Sequence, residues 1–299
     1  MGRITSRRRV TRITVGQDPQ HREDVLAVEE PLEIRVGGNA LAITMRTPGH
    51  DFDLAAGFLV SEGVISRGEH FGAARYCAGA TVDGENTYNV LDVTLASGVP
   101  APDPSLERNF YTTSSCGLCG KASIDAVRTL SVYPVADDPL QVDAALLATF
   151  PDLLRARQDV FEKTGGLHAA ALFDGRTGEM LVLREDVGRH NAVDKVVGWA
   201  VTQNLLPLRG TVLMVSGRAS FELTQKASMA GIPILAAVSA PSSLAVELAA
   251  EIGLTVVGFL RGPSMVVYAG EQRIRSHAGD PGGEIVSGVS GVSEKVTVS

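Results

Sequence analysis

Residues 211–259 read TVLMVSGRASFELTQKASMAGIPILAAVSAPSSLAVELAAEIGLTVVGF, and short apolar runs alternate here with segments of helical spacing. The apolar runs predict buried strands, and the segments between them predict helices. In chain order these five elements are 211–216, 219–230, 234–238, 242–252 and 254–259. Such alternation is typical of an α/β domain built in layers. We therefore expect a layered α/β domain, and the short apolar run at 265–268 predicts its edge strand.

Two domains are expected from the patterns on either side of a proline-rich loop. Residues 25–112 predict a smaller N-terminal α+β domain, and residues 113–275 predict the layered α/β domain, which makes the whole chain α+β. The loop GVPAPDP, residues 98–104, has the composition of the connection between them. In the first domain the predicted strands are 32–36, 40–45 and 90–95, and the predicted helix is 51–60.

Composition and charge exclude several classes of protein. The chain has 299 residues, a formal net charge of -7 and 20% charged residues, which argues against a broad basic surface for duplex nucleic acid. No apolar run approaches the roughly 18 residues that a membrane span needs. Five arginines cluster at the start without a following apolar segment, so residues 1–24 predict a flexible basic tail. Residues 276–299 predict a second flexible tail, and the cytoplasm is the expected compartment.

The three cysteines cannot form an even disulfide framework, so their expected role is chemistry, metal binding or packing. Cys77 has no Cys or His nearby in the sequence and is interpreted as a small packing residue. Cys116 and Cys119 form a C-x-x-C pair in a polar loop that predicts a helix starting near Cys119. A thiol at a helix start faces unpaired amides, and Lys121 adds a positive charge, so the thiolate is favoured. The same features would stabilise a persulfide anion.

The residues alone leave four interpretations of this pair open: sulfur transfer, a metal site, a redox pair and packing. A structural zinc site needs four ligands, and the sequence supplies no second C-x-x-C or paired histidines. A three-ligand catalytic zinc site through His168 is conceivable, but Ala170 stands where zinc deaminases carry their glutamate. A thioredoxin-like pair should follow a strand directly, and the polar TTSS lead-in fits this poorly. Sulfur transfer is favoured among the four, and no metal ligand is assigned.

Several turns after the predicted strands predict binding of a phosphate-rich ligand. The segment 184–195, REDVGRHNAVDK, is densely charged for a strand-to-helix junction and predicts the edge of a pocket. Residues 216–222, SGRASFE, open a helix after a buried strand, where backbone amides and an arginine commonly hold an anion. An ordinary helix cap with a surface arginine is the alternative. The turns at 240–244 and 259–264 are expected at the same edge, where α/β sheets place ligands.

Together these motifs resemble the formate dehydrogenase accessory sulfurtransferase family over about residues 25–275. The motifs that carry the resemblance are SCGLCG at 115–120, TGGLHAA at 164–170, EDVGRHNAVDK at 185–195, SGR at 216–218, GFLRG at 258–262, TPGHD at 47–51 and AGFLVSEG at 56–63. The resemblance implies a sulfur carrier that receives sulfane sulfur from a cysteine desulfurase as a persulfide. It further implies delivery to the molybdenum bis(molybdopterin guanine dinucleotide) cofactor, service to the catalytic subunit of formate dehydrogenase, and a second domain similar to the cytidine deaminase fold.

Residue roles follow from the resemblance position by position. It implies that Cys116 carries the persulfide and that Cys119 assists the transfer or acts as a second carrier. The residues expected to bind the cofactor are Phe259, Leu260, Arg261, Gly262, Pro263, Ser264, Arg218, Arg189 and His190. A homodimer is the expected assembly. The first alternative is a cofactor-binding chaperone that moves no sulfur. The second is a zinc-dependent deaminase-like hydrolase.

Overall fold

The computed structural model describes most of the chain outside the cysteine pair. The described residues are 4–77, 81–82, 85–86, 88–103 and 131–276. Cys116, Cys119 and Lys121 therefore lie outside the described residues, as does nearly all of the predicted tail at 276–299.

Regular structure alternates along the described chain in an α+β arrangement. The strands are β1 Thr5–Arg12, β2 Gln20–Ala27, β3 Glu30–Val36, β4 Asn39–Arg46, β5 Phe71–Tyr76, β6 Thr81–Val82, β7 Glu85–Asn86, β8 Val90–Leu95, β9 Val142–Asp143, β10 His168–Asp174, β11 Met180–Asp186, β12 Thr211–Val215, β13 Ile234–Ala237, β14 Thr255–Arg261, β15 Ser264–Ala269 and β16 Ile274–Arg275. The helices are α1 Asp51–Ser61, α2 Ala144–Leu147, α3 Phe150–Ala156, α4 Asp159–Thr164, α5 Arg189–Thr202, α6 Phe221–Met229 and α7 Ser243–Ile252. None of them, within the described residues, is long and apolar enough to cross a bilayer.

A six-stranded mixed sheet forms the centre of the second half, in the order β11-β10-β12-β13-β14-β15. Strands β12, β13 and β14 are parallel, which confirms the strands and helices predicted over 211–259. Residues 212–215, VLMV, are all apolar because both faces of β12 are buried: Leu213 and Val215 face helices α5, α6 and α7, and Val212 and Met214 face α2 and α3. On the latter face Phe150 stacks on Phe173 with ring centroids 4.0 Å apart.

The first half contributes a four-stranded sheet, β4-β3-β8-β5, and helix α1. Helix α1 crosses α5 at two glycines, where a Cβ at Gly57 would lie 1.8 Å from the Asp194 carbonyl oxygen. A Cβ at Gly198 would lie 1.7 Å from the Asp53 carbonyl oxygen. One apolar cluster, from Leu32 in β3 to Leu213 in β12, therefore runs through both halves of the chain.

Residues 5–27 form a β-hairpin where the composition predicted a flexible basic tail. Strands β1 and β2 are antiparallel, with Arg8 opposite Asp24 and Arg9 opposite Glu23. The sequence pattern missed the hairpin because none of its strand residues is fully buried and most are exposed, so no alternating apolar face marks the strands. Its ladder rests on backbone hydrogen bonds and cross-strand charge pairs instead of a core.

Gly57→Ala is expected to destabilise the fold by about 3 kcal/mol, the upper end for an overpacked core. The added methyl group would overlap backbone atoms of α5, which can move only if the two helices separate. Urea unfolding followed by circular dichroism measures the effect. Gly166→Ala is the matched control, because its nearest neighbour is 3.8 Å away, and it should leave stability within about 0.5 kcal/mol. Equal stability of the two variants would contradict the packing argument.

Candidate functional site

A cleft of about 720 Å³ opens where the parallel strands β12, β13 and β14 end. This is the edge at which an α/β sheet places its ligands, as the sequence predicted. One wall comes from the ends of these strands and from His168 at the start of β10, and the other comes from α3, α4 and the loop after α4. The residues that line it are Pro151, Asp152, Leu154, Arg155, Gln158, Phe161, Gly165, Gly166, Leu167, His168, Ser216, Val238, Arg261 and Gly262.

The turn between β14 and β15 brings Arg261 and Gly262 to the cleft. The Arg261 Nε donates a hydrogen bond of 3.0 Å to the carbonyl oxygen of Val238, which holds the guanidinium at the cleft mouth. Phe259 has a left-handed backbone, with φ of 49°, and its ring is exposed. A bulky residue in this region of φ is uncommon and is found where surrounding structure imposes it.

The remaining predicted residues of this turn differ in position. Leu260 is completely buried in the core beneath β14, so its side chain packs against the sheet and does not face a ligand. The reason is the alternation of the strand, which turns every second side chain to the opposite face. Pro263 and Ser264 are exposed and lie outside the cleft lining. Arg218 is also exposed and does not line the cleft.

Arg189 and His190 begin helix α5 beside His168. Neither α5 nor α6 has a side-chain hydrogen bond at its N-cap, so the amides of both helix starts lack that partner. The Glu222 carboxylate faces the His190 imidazole and the Ser220 hydroxyl, so an anion of the chain itself already lies at these two side chains. Arg189 Nε is buried and makes no hydrogen bond within the described residues. Buried polar atoms without partners are rare and costly, so Arg189 Nε is a donor that an acceptor from a ligand could satisfy.

Charges around this edge fix the protonation of two side chains. Burial, assisted by the positive charge of Arg189, lowers the pKa of His168, so its imidazole is neutral near pH 7. The imidazole of His190, whose Nε2 lies 3.7 Å from Glu222 Oε2, lowers the pKa of Glu222 to about 2. Glu222 is therefore an anion, exposed at the start of α6, and its carboxylate faces the His190 imidazole.

Most of the charged segment 184–195 is structural, although the sequence predicted a pocket edge there. Asp186 and Lys195 form a completely buried ion pair with a 2.6 Å contact. Lys195 Nζ also donates to the Thr47 carbonyl oxygen at 2.8 Å, and the Thr47 amide donates to Asp186 at 3.1 Å. Asn191 Nδ2 donates to the Met45 carbonyl oxygen at 2.7 Å. These contacts tie α5 to the TPGHD segment, and they explain the charge density without a ligand.

Two more charged residues of this region have structural partners. Asp194 accepts hydrogen bonds from Lys226 Nζ at 2.7 and 2.8 Å and from Ser61 Oγ at 2.7 Å. Glu185 accepts bonds from the amides of Val160 and Phe161, so it caps the start of α4. Of the segment, Arg189 keeps a buried Nε without a hydrogen bond in the described part of the chain, and His190 faces the carboxylate of Glu222.

Sequence reasoning missed the wall of the cleft that α3 and α4 supply. The Arg155 guanidinium lies over the Phe161 ring, 4.4 Å from its centroid, and presents a flat cation to the cleft. Gln158 is buried, does not cap α4, and its side chain makes no hydrogen bond within the described residues. Asp152 adds an exposed carboxylate. These helices are too short to give a periodic signal, which is why no pattern pointed to them.

Together the cleft can hold an anionic ligand that carries a flat ring. Arg261 suits phosphate oxygens, and the amide of Gln158 suits the polar edge of a ring. Arg189 and His190, predicted to bind the same ligand, do not line the cleft. No group of three or more His, Cys, Asp or Glu side chains in the described part of the chain could hold a metal ion.

Comparison with known proteins gives a consistent result. A model of the FdhD/NarQ family matches residues 27–275. Sulfur carrier protein FdhD of Streptomyces avermitilis is 66% identical over 279 residues, which cover 93% of this chain and 98% of that protein. The protein of the same name from Mycolicibacterium paratuberculosis is 64% identical over 271 residues, which cover 91% of this chain and 99% of that protein.

The same architecture is present in a solved structure. The crystal structure of a formate dehydrogenase accessory protein from Desulfotalea psychrophila superimposes with a TM-score of 0.70, covering 91% of this chain and 100% of that chain. The two sequences share 22% identity, so this likeness bears on the fold.

Proposed function

This chain belongs to the FdhD/NarQ family, and we propose from this premise that it carries sulfur as a persulfide on Cys116 and delivers it to a molybdenum cofactor. The observation that carries the proposal is the 66% identity, over nearly the whole chain, to sulfur carrier proteins. The range that the family model matches includes the residues that line the cleft, among them Arg261 and Gln158.

The first step is an exchange between sulfur atoms that requires no external oxidant. The Cys116 thiolate attacks the outer sulfur of a persulfide on a cysteine desulfurase. A new S–S bond forms on Cys116, the donor's S–S bond breaks, and the donor cysteine leaves as a thiolate. Cys119 is proposed to assist the second transfer, from Cys116 to the acceptor.

The acceptor we propose is the molybdenum bis(molybdopterin guanine dinucleotide) cofactor, held in the cleft before it reaches formate dehydrogenase. Its pyrophosphates match the positive charge of Arg261, and its guanines match a cleft that holds the flat cation of Arg155 and the amide of Gln158. Arg189 and His190, which we also expect to bind the cofactor, begin α5 outside the cleft lining. The cofactor is cargo here, and the protein's part is to bind and orient it. The formate dehydrogenase catalytic subunit is the proposed recipient.

Incubation of the purified chain with a cysteine desulfurase and cysteine tests the sulfur step. Peptide mass spectrometry is expected to find an adduct of one sulfur atom on Cys116, released by dithiothreitol. An unmodified Cys116 and Cys119 after complete turnover of the desulfurase would overturn the proposal.

A cofactor-binding chaperone is the second candidate, because the cleft alone could protect and deliver a ligand without any cysteine. The two functions differ in one result. A chaperone with Cys116 replaced should still activate formate dehydrogenase, whereas a sulfur carrier should not.

Gln158→Ala is expected to weaken the binding of guanosine diphosphate, used as a probe for half of the cofactor, by about tenfold. The loss corresponds to one hydrogen bond from a buried amide to the base, worth about 1.4 kcal/mol. Isothermal titration calorimetry with guanosine diphosphate measures it. Glu162→Gln is the matched control, because Glu162 is exposed on α4, the helix that follows Gln158, and does not line the cleft. Unchanged affinity in Gln158→Ala would exclude a base at this position.

A further inference from the structure

Helix α4 supplies part of the cleft wall but has little in its own sequence to hold it in place. It spans six residues, Asp159–Thr164, and each of them is at least partly exposed. A helix this short is not stable by itself in water, and helices in proteins take most of their stability from tertiary contacts. Gln158, at its N-cap, provides no side-chain cap, so the first amides of α4 need an acceptor from elsewhere in the chain.

Glu185 provides that acceptor from the six-stranded sheet. Its Oε1 accepts a hydrogen bond of 2.8 Å from the Phe161 amide, and its Oε2 accepts one of 3.0 Å from the Val160 amide. Glu185 lies in the edge strand β11, opposite Ala169 in β10. Hydrogen bonds to a charged acceptor are stronger than those between neutral groups. The carboxylate therefore joins the start of α4 to the sheet with both of its oxygens.

The side chains that this wall presents to a ligand depend on where α4 lies. The Phe161 ring supports the Arg155 guanidinium, which lies 4.4 Å from the ring centroid. The Gln158 carbonyl oxygen accepts a hydrogen bond of 2.9 Å from the Glu162 amide, so Gln158 is tied to the first turn of α4. Arg155, Gln158 and Phe161 line the cleft, whereas Glu185 does not. A shift of α4 would therefore displace three cleft-lining residues together.

We propose that Glu185 is a positioning residue for the ligand of the cleft, whose carboxylate holds α4 so that Arg155, Gln158 and Phe161 are in place before the ligand binds. The ligand is the guanine nucleotide of the proposed function, on which this inference rests. One residue of the charged segment 184–195 thus acts on the pocket through a helix and not by direct contact. Arg261 is independent of this helix, because its own bond to the Val238 carbonyl oxygen holds it.

Isothermal titration calorimetry of the full chain with guanosine diphosphate tests the role. Glu185→Ala is expected to raise the dissociation constant about fivefold to tenfold, because affinity falls with the fraction of molecules whose α4 is in place. Glu185→Gln keeps one acceptor oxygen and should raise the constant about threefold. Glu179→Ala is the matched control: Glu179 is an exposed carboxylate just before β11, outside the cleft lining, and its loss should leave the affinity unchanged.

Two further measurements separate positioning from a general loss of stability. In hydrogen exchange without ligand, the amides of Val160 and Phe161 should exchange about tenfold faster in Glu185→Ala, while the amides of β12 keep their protection. In double-mutant cycles, Glu185→Ala should couple with Gln158→Ala, since both act through one wall, and should add to Arg261→Ala without coupling.

The outcomes distinguish this role from the proposed function. A wild type that does not bind guanosine diphosphate would overturn nucleotide binding in the cleft, and the positioning role with it. A wild type that binds, with Glu185→Ala equal to it, would overturn the positioning role alone. Weaker binding by Glu185→Ala with unchanged exchange at Val160 and Phe161 would also overturn it. Glu185→Gln decides the question by the same measurements if circular dichroism shows that Glu185→Ala is unfolded.

Discussion

Cys116→Ala is expected to abolish activation of formate dehydrogenase and to remove the sulfur adduct, because the persulfide needs a thiolate at this position. Both losses should be complete within detection, since alanine cannot form an S–S bond. Activity of formate dehydrogenase is measured in cells that lack the native chain and carry the variant. The adduct is measured by peptide mass spectrometry after loading with a cysteine desulfurase.

The two other cysteines provide the comparison. Cys77→Ala should retain full activity, because Cys77 is a half-buried residue whose backbone amide pairs with the Val90 carbonyl oxygen in the first sheet. Cys119→Ala should still accept sulfur on Cys116 and should lose part of the delivery. Normal activation by Cys116→Ala would contradict the sulfur carrier and favour the chaperone.

Lys195→Met is expected to cost about 3–5 kcal/mol of the free energy of unfolding, as for other buried ion pairs that lose one partner. Lys195 is 1% exposed and Asp186 is 0% exposed, so the substitution leaves a carboxylate in the core without its cation. It also removes the bond to the Thr47 carbonyl oxygen that ties α5 to the first half of the chain. Urea unfolding at constant ionic strength measures the loss.

Two further variants separate charge burial from simple loss of a lysine. Lys163→Met removes an exposed lysine at the end of α4 and should change stability by less than about 0.5 kcal/mol. The double variant Lys195→Met, Asp186→Leu removes both charges and should be more stable than Lys195→Met alone, because no unpaired charge remains. If Lys195→Met were as stable as the wild type, the Asp186–Lys195 ion pair would not be what holds α5 to the first half of the chain.

The candidate site was predictable from the sequence in its location and in part of its residues. A strand followed by a polar turn and a helix places ligand groups at the carboxyl edge of a sheet, and Arg261 and Gly262 are found there. Leu260 was predicted with them and is a core residue, because neighbours in a strand face opposite sides. The roles of Cys116 and Cys119 remain predictions that the described residues do not reach.

Charge density proved an ambiguous signal. The segment 184–195 predicted a pocket edge. In the structure Asp186, Asp194 and Lys195 form buried ion pairs and hydrogen bonds that hold α5 to α1, α6 and the TPGHD loop. The sequence could not distinguish these uses, since a buried pair and a ligand contact need the same residue types. Distance and burial separate them.

Elements with a local cause could be read from the amino-acid pattern: the strands and helices of 211–259, set by apolar periodicity and turn residues, and the motifs that mark the family. Three features could be seen only in the folded chain: the crossing of α1 and α5 at Gly57 and Gly198, the wall of the cleft from Arg155 and Gln158, and the exposed hairpin β1–β2. The physical reason is the sequence separation between the residues that interact. Periodicity reports which face of an element is buried, whereas close backbone approach, unpartnered amides and exposed ladders depend on residues far apart in the chain.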